Sequence, residues 1–248
     1  MAIEKHLSEN GILEVTMVNP PVNALNIKDT FEIATIFNDV ARDKTIKVAI
    51  LTASGKGFCA GVDIKEIESL SGHTGILDVN EACYDAFAAI YECAVPVLVA
   101  VNGFCLGTGI GLAGSADIVI AATEAQFGLP EVDNGALGAL THLQRLVPQQ
   151  RARQMLYTCE TASAAELASY GSVSQVVAGD ELMNATHELA ARIAEKPQRT
   201  IRAAKQSANG IELLDIRNSY RYEQGYTFEL NLSGEGETAR QAFLDGER

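Results

Sequence analysis

Apolar and polar residues alternate from Ile12 to Val18 with the two-residue period of a half-buried strand. Over 28–41 the apolar positions Phe31, Ile33, Ile36, Phe37 and Val40 recur at helical spacing, which predicts an amphipathic helix. Residues 48–52 form a short apolar run that reads as a buried strand, followed by a glycine-containing loop over 54–61. Residues 76–93 predict a second helix, and Pro96 then introduces the strand Val97–Val101. A glycine-rich turn leads into a helix over 108–114, and 117–121 reads as another strand. Beyond Leu137 strand signals are sparse and helical spacing dominates, ending in a polar segment over 233–248. Strand–helix units followed by a helical tail predict an α/β core with a helical C-terminal subdomain.

Composition narrows the function classes. The 248 residues are 47% hydrophobic and 21% charged, ordinary for a globular chain. With 19 Lys and Arg against 32 Asp and Glu the net charge is −13, the wrong sign for a nucleic-acid binder or a protein held on anionic lipid. Residues 94–122 are nearly uncharged, but Pro96, Asn102, Asp117 and several glycines interrupt them, so they read as buried core and not as a membrane span. The N-terminal residues lack the apolar stretch of a secretory signal. Five scattered cysteines (Cys59, Cys83, Cys93, Cys105, Cys159) read as reduced thiols in a cytoplasmic protein. His6, His73, His142 and His187 show no metal-ligand spacing, so no metal is expected. Between Lys65 and Arg145 there is no Lys or Arg, while ten acids occur. An anionic ligand must therefore find its cations at Lys56, Lys65 or in the C-terminal third.

Three segments carry candidate chemistry. Residues 55–64 (GKGFCAGVDI) form a glycine-punctuated loop that can bring backbone N–H groups close to a ligand, or equally a plain turn with Asp63 capping the next helix. Residues 102–111 (NGFCLGTGIG) place a helix start at Thr108, where unpaired N–H groups can hold an anionic oxygen. Gly109, Gly111 and Gly114 also satisfy G-x-G-x-x-G, which opens a reading as an NAD-binding oxidoreductase; tight helix packing explains them equally well. In 127–132 (FGLPEV) Glu131 sits in an apolar run, where burial makes a carboxylate a usable general base; a helix-start acid is the plainer reading.

The order of four blocks, GFCAGVDIK, VPVLVAVNGFCLGTG, ADIVIAA and QFGLPE, resembles the crotonase family, the enoyl-CoA hydratase/isomerase superfamily, and the resemblance runs from NPPVNAL near residue 20 to AFL near residue 243. It implies a spiral of ββα units over 1–195 and a C-terminal helical region over 196–248 that serves trimerisation and covers coenzyme A. It also implies a homotrimer or dimer of trimers, and no cofactor beyond the coenzyme A that the substrate carries. Matching the blocks assigns the oxyanion-hole donors to the backbone N–H groups of Val62 and Thr108. It assigns the coenzyme A lining to Ala60, Gly61, Val62, Asp63 and Ile64, with Val22–Ala24 (Ala24 included) near the pantetheine and adenine; Lys56 and Lys65 are the nearest cations for its phosphates, or equally plain solvated lysines.

Hydratases of this family use two glutamates. The second matches Glu131, whereas the first matches Gly111, which has no side chain. A single carboxylate suits Δ3-Δ2 enoyl-CoA isomerisation, or activation of water against a ring ketone β to the thioester. The blocks IYECAVPV, NGALGALTHLQRLVP and SYRYEQGYTFELNL are similar to the steroid-ring-opening CoA hydrolases, which makes hydrolytic C–C opening of a cyclic β-keto acyl-CoA the expected reaction. Isomerase, hydratase and a non-catalytic CoA-ester-binding homologue are the alternatives. Asp63 and His142 are secondary catalytic candidates, Tyr91, Tyr220 and Tyr222 candidate pocket phenols. Gly111, Ala113, Gly135 and Ala136 either leave room for a bulky acyl group or permit close packing.

Overall fold

The computed structural model describes residues 2–70, 74–212 and 215–246; His73 lies outside the described residues. In chain order the elements are β1 (Ala2–Leu7), β2 (Ile12–Val18), α1 (Ile27–Asp39), β3 (Val48–Ala53), β4 (Gly57–Cys59), α2 (Ile64–Ser69), α3 (Thr74–Tyr91), β5 (Val97–Val101), β6 (Phe104–Leu106) and α4 (Thr108–Ser115). There follow β7 (Ile118–Ala122), β8 (Gln126–Gly128), α5 (Leu140–Leu143), α6 (Gln149–Thr158), β9 (Thr161–Ser163), α7 (Ala164–Ser169), β10 (Val173–Val177), α8 (Leu182–Ala194), α9 (Gln198–Ile211), α10 (Ile216–Leu232) and α11 (Glu235–Leu244).

Two sheets result. The larger has the order β1-β2-β3-β5-β7-β10, parallel except for the antiparallel β1–β2 edge, and the smaller has the order β4-β6-β8-β9. Each of β3, β5 and β7 is followed within a few residues by a short strand of the small sheet, and then by helix. The chain thus climbs as a spiral of ββα turns, the crotonase fold. β3, β5 and β7 read as unbroken apolar runs because both their faces are covered. Ala49, Leu51, Val97, Val99, Val119 and Ala121 face the main core. The alternate residues Val48, Ile50, Leu98, Ala100, Ile120 and Ala122 pack against Leu182, Ala190 and Ala194 of α8.

Several elements depart from the sequence reading. β1 is an edge strand of mostly polar, exposed residues, held by backbone pairing to β2 and so lacking an apolar signature. β4 lies inside the span read as a loop, 54–61. β10 joins β7 from fifty residues away, a pairing that local pattern cannot announce. The polar segment at the C-terminus, within the region expected to be helical, forms α11, which buries Gly236 and Ala239.

The C-terminal helices are tied to the core by buried charge. Lys205, whose side chain is 2% exposed, pairs with Asp117 Oδ1 at 2.7 Å, and Asp117 Oδ2 accepts the Val97 N–H. Arg145 Nε donates to Glu212 Oε1 at 2.7 Å, and the Tyr91 hydroxyl donates to Glu212 Oε2. Among the described residues no helix is long and apolar enough to cross a membrane.

Candidate active site

The strand-to-helix loops of two successive spiral turns meet at one cleft. In the first, Gly61 takes φ +111°, which a side chain rarely tolerates, and the next residue forms an isolated parallel bridge with Leu25. Leu25 N–H donates to Gly61 O at 2.9 Å and Asp63 N–H to Leu25 O at 2.8 Å. In a parallel bridge the flanking groups make the bonds, so the N–H of Val62 itself faces the opposite side, where the cleft lies. In the second loop Gly107, at φ +55°, caps α4 without a side chain. Thr108 is the first residue of the helix, so its N–H has no intrahelical acceptor and sits at the positive end of the helix dipole. Among the described residues neither the Val62 nor the Thr108 N–H donates to a protein acceptor. The loops touch: a Cβ on Gly107 would lie 3.5 Å from the Cα of Gly61.

The third contributor arrives along β8. Leu106 of β6 is paired with Gly128 of β8, and Gly107 N–H donates to Gly128 O at 3.1 Å. Two residues after Gly128 the chain turns at Pro130, so Glu131 arrives directly over Gly107. A Cβ there would lie 2.6 Å from Glu131 Oε1. Glu131 Oε2 is sealed from solvent and has no hydrogen-bond partner among the described residues. Burial pushes the carboxyl up to about 8, its own backbone N–H opposes that slightly, and the negative charge of Glu223 adds to it. Glu223 of α10 accepts from the N–H groups of Leu140 (2.7 Å) and Thr141 (2.8 Å), capping α5 from outside.

The cleft holds about 860 Å³ of free space, its mouth included, walled largely by apolar side chains from α2, α3 and the turn after Glu131. Two free amides and one proton-hungry carboxylate inside it can hold a developing oxyanion and move a proton beside it.

Not every sequence candidate reaches this place. Ala60, Gly61, Val62, Ile64 and Thr108 line the cleft with Glu131; Ala24, Lys56 and Lys65 do not, and both lysines are exposed. Asp63 takes the plainer of its two readings: its Oδ1 accepts from the N–H groups of Lys65 and Glu66, so it is the N-cap of α2, and it does not line the cleft. His142 likewise takes a packing position. It is fully buried outside the cleft lining, T-stacked with Phe87 (4.7 Å) and Tyr220 (5.1 Å), and among the described residues neither ring nitrogen has a hydrogen-bond partner. Of the three tyrosines only Tyr220 lines the cleft; Tyr91 is held by Glu212 and Tyr222 is exposed.

Gly111 has a physical explanation. A Cβ on it would fall 2.0 Å from Phe87 Cζ, so the ring of α3 occupies the space a side chain would need. Gly135 likewise makes way for α11, whose Gly236 Cα would lie 2.9 Å from its Cβ, whereas Ala136 does line the cleft. Sequence reasoning did not single out Phe87, Glu223, Asn231 or Arg240 as site residues. Gly236 and Arg240, four apart on one helix face, are the signal available for the last.

A ββα spiral whose loops present two free amides and a sealed carboxylate to one apolar cleft defines a crotonase-fold enzyme. A family profile described as Enoyl-CoA hydratase/isomerase matches residues 8–232, and the chain belongs to that family. It is 50% identical over 245 residues to the (7aS)-7a-methyl-1,5-dioxo-2,3,5,6,7,7a-hexahydro-1H-indene-carboxyl-CoA hydrolase of Rhodococcus jostii (strain RHA1), covering 99% of this chain and 95% of that one. It is 49% identical to the enzyme of the same name from Mycobacterium tuberculosis (strain ATCC 25618 / H37Rv), covering 98% and 99%. Among solved structures, an enoyl-CoA hydratase from Mycobacterium avium subsp. paratuberculosis K-10 superposes with a TM-score of 0.87 at 25% identity, covering 97% of this chain and 98% of that one.

Proposed function

We propose that the protein hydrolytically opens a ring of a cyclic keto acyl-CoA of the steroid-derived, indane type, with Glu131 as the base. The observation that carries this reading is the pairing of Glu131 with Gly111: one sealed carboxylate over the oxyanion loops, and Phe87 in the place where a second would stand. Full-length similarity to the two hydrolases supports the substrate class.

Glu131 takes a proton from water as the oxygen adds to the ring ketone carbon. The bond between that carbon and its neighbour on the thioester side then breaks. Its electron pair passes to the thioester oxygen, either directly from the α-carbon or through one intervening double bond. The N–H groups of Val62 and Thr108 stabilise the resulting enolate, each such donor being worth roughly 3 kcal/mol. The proton on Glu131 returns to carbon, and the former ketone, now a carboxylic acid on the opened chain, releases water's second proton to solvent and becomes a carboxylate. Water and the thioester supply every atom, so the reaction needs no cofactor beyond the coenzyme A of the substrate. Addition of water across a conjugated double bond is disfavoured, because it normally uses two carboxylates to hold and shuttle protons.

The finer assignments of place and assembly belong to the same reading. Five free thiols, four of them buried, fit a reducing cytoplasm. Exposed apolar side chains at Tyr157, Ile211, Tyr222 and Leu232 fit burial in a homotrimer or dimer of trimers, with 196–248 as the region that assembles and covers the substrate.

The test is mass spectrometry of the purified protein with a cyclic β-keto indane-carboxyl-CoA in ordinary and oxygen-18 water. Gain of one water, with the heavy oxygen in a new carboxylate, is the expected result. An intact ester after demonstrated binding would reject the hydrolytic reading, and conversion of a 3-enoyl-CoA would then favour isomerisation. A Glu131→Gln protein is expected to lose at least a hundredfold in kcat; near-normal turnover would overturn the mechanism.

A further inference from the structure

We propose that Arg240 is the residue that recognises the second oxygen centre of the substrate: the attacked ring ketone, and the carboxylate it becomes. This rests on the ring-opening reading. That reaction develops negative charge at two places, and Val62 and Thr108 account for only the thioester end.

Arg240 is the one cation among the described residues lining the cleft. It stands in a chain of net charge −13 whose middle segment, from Lys65 to Arg145, supplies no Lys or Arg. Its side chain is 12% exposed, which for an arginine requires built partners. Nε donates to Glu68 Oε1 on α2, and Nη1 donates to Asn231 Oδ1 at 2.8 Å. Asn231 is itself buried, with its amide nitrogen on Thr227 O at 2.8 Å. Gly236 completes the cradle: a Cβ there would lie 3.0 Å from Nη1 and 2.9 Å from Asn231 Oδ1. Nη2 donates to no protein acceptor among the described residues. The guanidinium is therefore held on two sides with one nitrogen left over, inside the cleft that contains Glu131.

Its position is tied to the catalytic turn. The start of α11 packs on Gly135, at the end of the turn that begins at Glu131, and the Glu68 bridge joins α11 to the helix that follows Val62. A planar cation so fixed can polarise a carbonyl and then bind the carboxylate through charge-assisted hydrogen bonds. The enclosure by Glu68, Asn231 and Gly236 favours this acyl-side role over a contact to the solvated phosphates of coenzyme A.

The test compares dissociation constants of two CoA thioesters on one carbon skeleton, one ending in a free carboxylate and one in its methyl ester, with free coenzyme A as a third ligand. The wild-type protein is expected to prefer the carboxylate at least tenfold. Arg240→Gln should reduce the preference to within twofold while holding the methyl ester and coenzyme A as before. Glu68→Gln, which keeps the cation and removes its neutralising partner, should retain the preference or raise it. A preference that persists in R240Q, none in wild type, or an equal loss for coenzyme A itself would each overturn the proposal. Turnover of the cyclic keto ester by wild type is scored separately. Ring opening without the carboxylate preference sinks this inference alone, whereas the preference without ring opening sinks the ring-opening reading and leaves a carboxylate subsite.

Discussion

At the scale of single residues, Glu131 combines catalytic promise with a stability cost. Its pKa is raised from 4.5 to about 8 by burial, so the folded state binds more protons than the unfolded one between those values. The stability it contributes is therefore complete below pH 4.5 and is lost as pH rises to about 8, by up to ~1.4 kcal/mol per pH unit. Glu131→Gln is expected to abolish that decline, giving a variant more stable than wild type at pH 8 in urea titrations. The same group predicts that kcat/KM for ring opening climbs about tenfold per pH unit until it levels near pH 8. A profile flat from pH 6 to 9 would argue against Glu131 as the base. Gly111 is the second residue-scale test. Gly111→Ala drives a methyl into Phe87 and should cost about 1–3 kcal/mol by overpacking, read as a lower urea midpoint.

At the scale of elements, the four-residue helix α5 has no side-chain cap of its own and begins after Ala139 at φ +59°. Glu223 of α10 provides the cap, and its charge also bears on Glu131. Glu223→Ala should thus do two separable things. It should lower stability by about 1–2 kcal/mol, as loss of a cap does, and shift the Glu131 limb of the pH–rate profile to lower pH. A stability loss with an unmoved limb would show that the α10 charge does not reach the carboxylate. β10 and α11 make a different point. Both are held by contacts from far along the chain, β10 by pairing with β7 and α11 by packing on Gly135.

For the whole molecule, two buried groups shape the pH range of the fold from opposite sides. The His142 ring, stacked between Phe87 and Tyr220, is pushed down to about 3 by burial, with Arg145 adding to the effect. Its folded state resists protonation, so stability is lost as pH falls below about 6.5, opposite in sign to Glu131. His142→Phe, which supplies an aromatic ring with no nitrogen to leave unpaired, should flatten the acid side of the stability curve. The docking of the C-terminal helices depends on Lys205, whose side chain is 2% exposed, in its pairing with the more accessible Asp117. Lys205→Met is expected to cost roughly 1–3 kcal/mol, the loss of a charge-assisted hydrogen bond to an aspartate that water still reaches, and the Asp117→Asn/Lys205→Met pair should recover part of it.

Much of the architecture was legible in residues alone, for a physical reason. β2 and β5 match their predicted limits, and α1, α3, α4, β3 and β7 fall within two residues of theirs, because burial on one or both faces writes itself into hydrophobic period. Glu131, Val62 and Thr108 stand in blocks whose order resembles the family, and the structure brings all three to one cleft. Side-chain placement was a different matter. Asp63 and His142 are acid–base residues in the right neighbourhood of the chain, yet one is spent on a helix cap and the other is sealed in an aromatic cluster. Phe87 behind Gly111 and Arg240 in its cradle reach the cleft from α3 and α11, while Glu223 of α10 acts on Glu131 by charge from outside the cleft lining. Which of these side chains meet in the cleft is set by helix packing between distant segments, and no local spacing encodes that. Residue order and hydrophobic period suffice for the spiral, its two glycine loops and one carboxylate among apolar neighbours, because each is written locally; the meeting of those loops in one cleft, and the burial that raises the carboxylate's proton affinity, come from contacts between segments far apart in the chain.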